Sequence, residues 1–254
     1  MAGPMEQFEV HRIVPLKVGG VDLSITNTTL AMFGAAALIC LFFAMAAKRA
    51  VVPGRLQTVG EMVFELVDDL SESIIGHEGR HFFPFVFTLF SLIMVMNLIG
   101  MLVVVPTATS QLAVTATLAV LTILTVIVIG FARNGIGFFK LFMPSGVPWP
   151  LLFFLVPIEI ISFLVRPLTL ALRLFGNMLG GHVVLNIFGS FVVALALLGL
   201  GGGLATLGWL GAGLSLGSVV ALIALEFIVA FLQAFVFAAL TCVYLNDVVN
   251  LHAH

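Results

Sequence analysis

Residues 151–198 read LLFFLVPIEIISFLVRPLTLALRLFGNMLGGHVVLNIFGSFVVALALL, and the only charged side chains among them are Glu159, Arg166 and Arg173. A helix on the surface of a soluble domain keeps a broad polar face, whereas the apolar background of this stretch is almost continuous. As one helix it would run about 70 Å at about 1.5 Å per residue, more than twice the roughly 30 Å hydrocarbon thickness of a bilayer. Either it breaks, with Pro167 removing a backbone hydrogen bond, or it lies steeply tilted against a protein surface. A second apolar run, 214–247, follows a cluster of glycines at Gly199, Gly201, Gly202, Gly203, Gly208, Gly211, Gly213 and Gly217. The cluster reads as a turn joining two long helices.

The rest of the chain has the same character. Of 254 residues 61% are hydrophobic and 9% charged, with a mean hydropathy of +1.25, against roughly 25% charged residues in an average soluble domain. This is the composition of an integral membrane protein. A net charge of -2 leaves no basic excess to neutralise phosphates, which argues against a nucleic-acid partner. Cys40 and Cys242 sit in apolar runs and are expected to pack as thiols without a disulfide. The first residues carry Glu6, Glu9, Arg12, Lys17 and Asp22 and no apolar core of signal-peptide length, so the N-terminal segment 1–27 is expected to belong to the mature chain.

A span over 28–47 ends at Lys48 and Arg49, before Pro53, Gly54 and Arg55. Over 56–75, Val59, Met62, Val63, Leu66, Val67, Leu70 and Ile74 recur at helical spacing opposite Glu61, Glu65, Asp68, Asp69 and Glu72. That helix is amphipathic, and its acidic face, which anionic lipid would repel, suits docking on protein. Spans 82–105 and 112–132, joined by Pro106 to Ser110, form a transmembrane hairpin; Arg133, Lys140, Pro144, Pro148 and Pro150 then precede the opening stretch. The expected fold is all-α: a single polytopic membrane domain with about five membrane-embedded helices and one amphipathic surface helix, the last two helices (151–198 and 214–247) long and steeply tilted. Basic residues after the first and third spans (Lys48, Arg49, Arg55, Arg80, Arg133, Lys140) outnumber those at the N-terminus (Arg12, Lys17), which predicts the N-terminus outside and the C-terminus in the cytoplasm.

Past Lys140 the charged side chains are Glu159, Arg166, Arg173, Glu226 and Asp247. Charge inside a membrane helix is costly and marks protein contacts, water cavities or ion paths. Glu159, Arg166 and Arg173 are spaced by seven and share one stripe, about 10 Å apart along the axis. Arg166, beside Pro167, is open to a snorkelling role at a helix end, and Glu159 to a structural one. Arg173 lies deep in LTLALRLFGNML, where an interface position is hard to arrange. Asn177 follows one turn later on nearly the same face. His182 is about half a turn out of phase and faces away from the arginine stripe. On the last helix Glu226 and Gln233 share a face, with Tyr244 near the same line. A carboxylate in EFIVAFLQAF must find a partner on another helix, take up a proton or line water. Histidine changes charge near neutral pH, so His182 and Glu226 form a candidate proton-exchanging couple. His252 and His254 read as a solvated tail.

LALRLFGNMLGGHVV (170–184), followed by ALEFIVAFLQAFVFAALTCVYL (224–245), resembles subunit a of the F-type ATP synthase, the stator of a membrane-embedded rotary motor. The resemblance is strong over about the last 100 residues, and the earlier order of span, acidic amphipathic helix and hairpin agrees with it. It implies that Arg173 is the arginine facing the ring of c subunits, that Asn177 and Gln233 flank it, and that His182 and Glu226 occupy the family's titratable pair of positions. Some members carry that acid and imidazole in the reverse order. Glu159 and Arg166 align with polar positions of no assigned role. The implied function is proton translocation through two half-channels, coupled to ring rotation and ATP synthesis, with no catalytic residue, cofactor or metal in this chain. The implied partners are the c-subunit ring, peripheral-stalk b-type subunits, the remainder of the complex and the lipid bilayer. The implied location is a bacterial inner membrane or an equivalent energy-transducing membrane. Proton is the expected ion because His182 offers a proton site and no cluster of hard oxygen ligands is visible.

A small secondary transporter or ion channel is the competing class, with a site at the glycine-rich 199–217 segment. The chain shows no inverted repeat, and an odd span count fits two equal halves poorly. An intramembrane hydrolase would need a nucleophile with a base; Ser215 and Ser218 have none at helical spacing. His182 and Ser190 share a side, but no GxSxG is present.

Overall fold

The computed structural model describes residues 12–15, 17–18, 21–22, 24–47, 54–101, 108–143, 149–201 and 207–250. Glu6 and Glu9, the break at Lys48, Arg49 and Pro53, the 102–107 end of the hairpin, Pro144, Pro148, Gly202, Gly203 and the tail histidines lie outside the described residues. Ahead of the first helix are short strands that the composition does not signal. β1 (Arg12–Val14) pairs antiparallel with β4 (Ile25–Thr26), and β2 (Lys17–Val18) with β3 (Val21–Asp22). Two or three residues are too few to establish an alternation.

α1 (Asn27–Ala46) begins where Thr26 Oγ1 accepts a hydrogen bond from the Thr29 N–H at 3.2 Å, an N-cap. Its apolar side chains, Leu30, Phe33, Leu38 and Leu41 among them, point away from the rest of the chain. α2 (Arg55–Ile75) buries Val67 and Ile75 and packs Val63, Leu66, Leu70 and Ile74 against the core, while Glu61, Glu65, Asp69 and Glu72 are exposed. α3 (Gly79–Gly100) and α4 (Leu112–Asn134) follow, α4 continuing into a 3-10 stretch over Gly135–Phe142.

α5 (Trp149–Gly199) is 51 residues long and α6 (Leu207–Val249) 43, or about 77 and 65 Å at about 1.5 Å per residue. Neither can stand along a bilayer normal about 30 Å thick. Pro157 and Pro167 both lie inside α5, so Pro167 does not end the helix and Arg166 is an interior residue. Of the two sequence alternatives, the unbroken one is realised; membrane helices tolerate proline where neighbouring groups re-satisfy the freed carbonyl. α6 starts well before residue 214, and Gly208, Gly211 and Gly213 are helical. A Cβ at Gly208 would come within 2.5 Å of the Leu195 carbonyl oxygen, so this glycine lets α6 begin close against the end of α5.

α6 is the central element, packed against α2, α3, α4 and α5. Phe90 and Ile93 of α3 meet Ala234, Phe237, Ala238, Leu245 and Val248 of α6 in a core that excludes surroundings almost completely. Side-chain hydrogen bonds hold its C-terminal end against α4 and α2: Asn134 Nδ2 donates to the Val248 carbonyl at 2.7 Å, and Asn250 Nδ2 to the Ile75 carbonyl at 3.2 Å. α5 is different. Only 6% of its most apolar stretch is buried within the chain, against 39% for the stretch that contains α3. Leu164, Leu168, Leu172, Val184, Ile187 and Phe191 leave a long apolar face uncovered.

Among the described residues, five helical stretches are long and apolar enough to cross a membrane. The chain is an all-α polytopic membrane protein.

Candidate functional site

Arg173 stands on the uncovered face of α5. It is exposed, Leu172 beside it is exposed, and Leu174 on the other side of the helix is fully buried. Among the described residues no acidic side chain lies within ion-pair distance of it. Asn177, one turn on, is half-buried. Gln233 is buried on α6, on the side that also carries Glu226.

His182 points the other way, into the seam between α5 and α6. Its Nε2 lies 3.8 Å from Glu226 Oε1, and the two side chains are 7% and 9% exposed. That separation is longer than a direct hydrogen bond and within ion-pair reach. Glu226 Oε1 has no hydrogen-bond partner among the described residues. The room for it comes from Gly181: a Cβ there would stand 2.7 Å from Glu226 Oε1 and 3.1 Å from its Cδ. Only a residue without a side chain allows the carboxylate to lie against α5 beside His182.

α3 closes this seam. His182 hydrogen-bonds the backbone of Gly100. One turn earlier Asn97, fully buried, donates from Nδ2 to the Ala230 carbonyl of α6 at 3.2 Å, while its Oδ1 has no partner among the described residues. The last turn of α3 thus touches α5 at His182 and α6 one turn beyond Glu226. Sequence reasoning missed Asn97. It was visible as a lone amide in LIMVMNLIGM, the kind of polar intramembrane residue that joins helices.

Arg166, on the same stripe as Arg173, is paired. Its Nη1 lies 2.9 Å from Asp247 Oδ2, and its guanidinium sits 5.0 Å from the centre of the Tyr244 ring and 5.6 Å from that of Phe163. Asp247 was legible as a charge but not as this partner. Glu159 is half-buried two turns nearer the start of α5. Among the described residues no group of three or more His, Cys, Asp or Glu side chains could hold a metal ion.

The described residues thus set a buried imidazole–carboxylate couple on one side of α5 and, on its uncovered face, Arg173 with no ion-pair partner among them. The family model described as ATP synthase A chain matches residues 29–246. The chain is 48% identical over 253 residues to ATP synthase subunit a of Allorhizobium ampelinum (99% of this chain, 98% of the relative) and 50% identical over 252 residues to that of Hyphomonas neptunium (99% and 97%). To that of Rhizobium rhizogenes it is 50% identical over 254 residues (99% of each). The chain belongs to the ATP synthase subunit a family.

Proposed function

We propose that Arg173, His182 and Glu226 carry proton transfer between the two aqueous phases and a ring of c subunits, with Asn177 and Gln233 as the polar residues beside the path. The chain is the noncatalytic, proton-translocating stator subunit of an F-type ATP synthase. Its c ring lies against the uncovered face of α5, and peripheral-stalk b-type subunits and lipid cover other surfaces. The membrane is a bacterial inner membrane or an equivalent, with the N-terminus outside and the C-terminus in the cytoplasm. The observation that carries the reading is the opposition across α5: an exposed Arg173, with no acidic partner among the described residues, on the uncovered face, and a buried His182–Glu226 couple toward the bundle.

A guanidinium cannot deprotonate in a protein. At the ring surface it favours the ionised form of each arriving ring carboxylate and so releases that carboxylate's proton to one half-channel. The same fixed charge repels a proton that would pass straight to the other half-channel. Protons then cross only by riding the ring, and each charge moved yields about 2.3 kcal/mol per 100 mV for rotation. His182 and Glu226, 3.8 Å apart across the seam, hand protons along one half-channel; this is positioned acid–base transfer. Tilted helices suit the task because a long inclined pair follows the wall of a cylindrical ring over several turns.

Replacing Arg173 by Ala in the assembled complex and following ATP-driven acidification of inverted vesicles tests this reading. Pumping is expected to be lost with the complex intact; unimpaired pumping would overturn it.

A further inference from the structure

Arg166 and Arg173 pose a problem that the function above leaves unsolved. Seven residues apart on one helix, they lie on one stripe about 10 Å apart along the axis. A ring carboxylate that meets two bare guanidiniums has two traps. A charge pair in a membrane environment is screened far less than in water, so the second trap would compete with the first. The structure treats the two arginines differently. Arg173 is exposed on the open face, whereas the Arg166 side chain is 22% exposed and its Nη1 lies 2.9 Å from Asp247 Oδ2. Phe163 on α5 and Tyr244 on α6 flank the Arg166 guanidinium and hold it toward α6. The acid comes from the end of α6, 81 residues along the chain. This pairing keeps both arginines on the stripe and leaves one of them uncompensated.

We propose that Asp247, with Tyr244 and Phe163, screens Arg166 so that the passing ring carboxylate meets a single uncompensated cation, Arg173. Asp247 is a positioning residue: it touches neither the ring carboxylate nor the transferred proton. The proposal rests on the reading of Arg173 given above. It differs from a simple clamp between α5 and α6 in one respect. For a clamp either single loss strands the other charge, so both single variants are harmed. For a screen the harm comes only from the bare cation, so losing Arg166 alone does no harm and also repairs the loss of Asp247.

The test is Asp247→Asn, Arg166→Gln and the double variant in the full ATP synthase, with ATP-driven pumping in inverted vesicles normalised to the amount of the subunit in the membrane, and Arg173→Ala beside them. The screen predicts that Asp247→Asn lowers pumping about tenfold, the factor corresponding to about 1.4 kcal/mol. It predicts that Arg166→Gln and the double variant both stay within about twofold of the unaltered complex, or about 0.4 kcal/mol. An Asp247→Asn chain that fails to accumulate, while Arg166→Gln and the double variant both accumulate and pump, supports the same conclusion. Comparable losses in both single variants, with or without recovery in the double, or failure of Arg166→Gln to accumulate, would overturn it in favour of a clamp. An unaffected Asp247→Asn would overturn it outright. If Arg173→Ala abolishes pumping while the series fails, only the screen falls. If Arg173→Ala pumps normally, the reading it rests on falls.

Discussion

His182 on α5 and Glu226 on α6 face each other across a buried seam, Nε2 to Oε1 at 3.8 Å. The distance is longer than a direct hydrogen bond and within ion-pair reach, so a small side-chain movement brings the two groups together. If the two groups act as a couple, their order matters less than their joint presence. His182→Glu with Glu226→His is therefore expected to retain more ATP-driven pumping than either single change, each of which should lower it at least about tenfold, below the range of about 10² to 10⁴ that positioned acid–base groups supply. Equal loss in all three variants would argue against direct coupling.

Gly181 makes the room that Glu226 occupies, since a Cβ would lie 2.7 Å from its Oε1. Gly181→Ala is expected to displace the carboxylate from His182 and cut pumping several-fold, with normal amounts of subunit in the membrane. Gly189 on the same helix has nothing within 4 Å of a built Cβ, and Gly189→Ala should leave both quantities unchanged. Pumping rates of the two variants, each normalised to subunit content, check the contrast.

Asn97 ties α3 to α6 through the Ala230 carbonyl, one turn from the Gly100 backbone that His182 contacts. Interhelical hydrogen bonds in membranes contribute about 0.6 kcal/mol on average and up to about 1.7. Asn97→Leu, close in size and without the amide, should lower the thermal stability of the solubilised complex only modestly. Pumping measured well below the melting transition should fall by more than that loss of stability accounts for. Pumping that tracks the folded fraction would reduce Asn97 to packing.

The Arg133–Glu78 ion pair, at 2.7 Å, sets the lower bound of such effects. Its side chains are 38% and 51% exposed, and exposed pairs contribute about 0 to 1 kcal/mol. Arg133→Gln is expected to change neither pumping nor thermal stability measurably, despite the short distance.

The membrane helices and the acidic face of α2 were legible because bilayer thickness and helical period act on every residue of a run. The direction of His182, away from Arg173, was legible for the same reason: nine residues is two and a half turns. Contacts between distant segments were not. Arg166 read as a candidate for snorkelling because Pro167 suggested a helix end, and nothing local connects it to Asp247. Pro167 itself misleads for a physical reason, since proline breaks isolated helices but is accommodated where packed neighbours satisfy the freed carbonyl. The glycines from Gly208 to Gly213 read as a turn, although they are helical, with Gly208 and Gly211 lying close against α5. Gly181 could not be told from Gly180 until α6 placed a carboxylate against one of them.

The central claim is that Arg173 couples proton flow to rotation by its fixed charge on the open face of α5. Its most direct test measures two fluxes in the same vesicles carrying Arg173→Ala: ATP-driven pumping, and passive proton conduction down an imposed gradient. The account predicts that pumping disappears while passive conduction persists or rises, because the path through His182 and Glu226 remains and the barrier between the half-channels is gone. Pumping at the unaltered rate, with passive conduction unchanged, would contradict it.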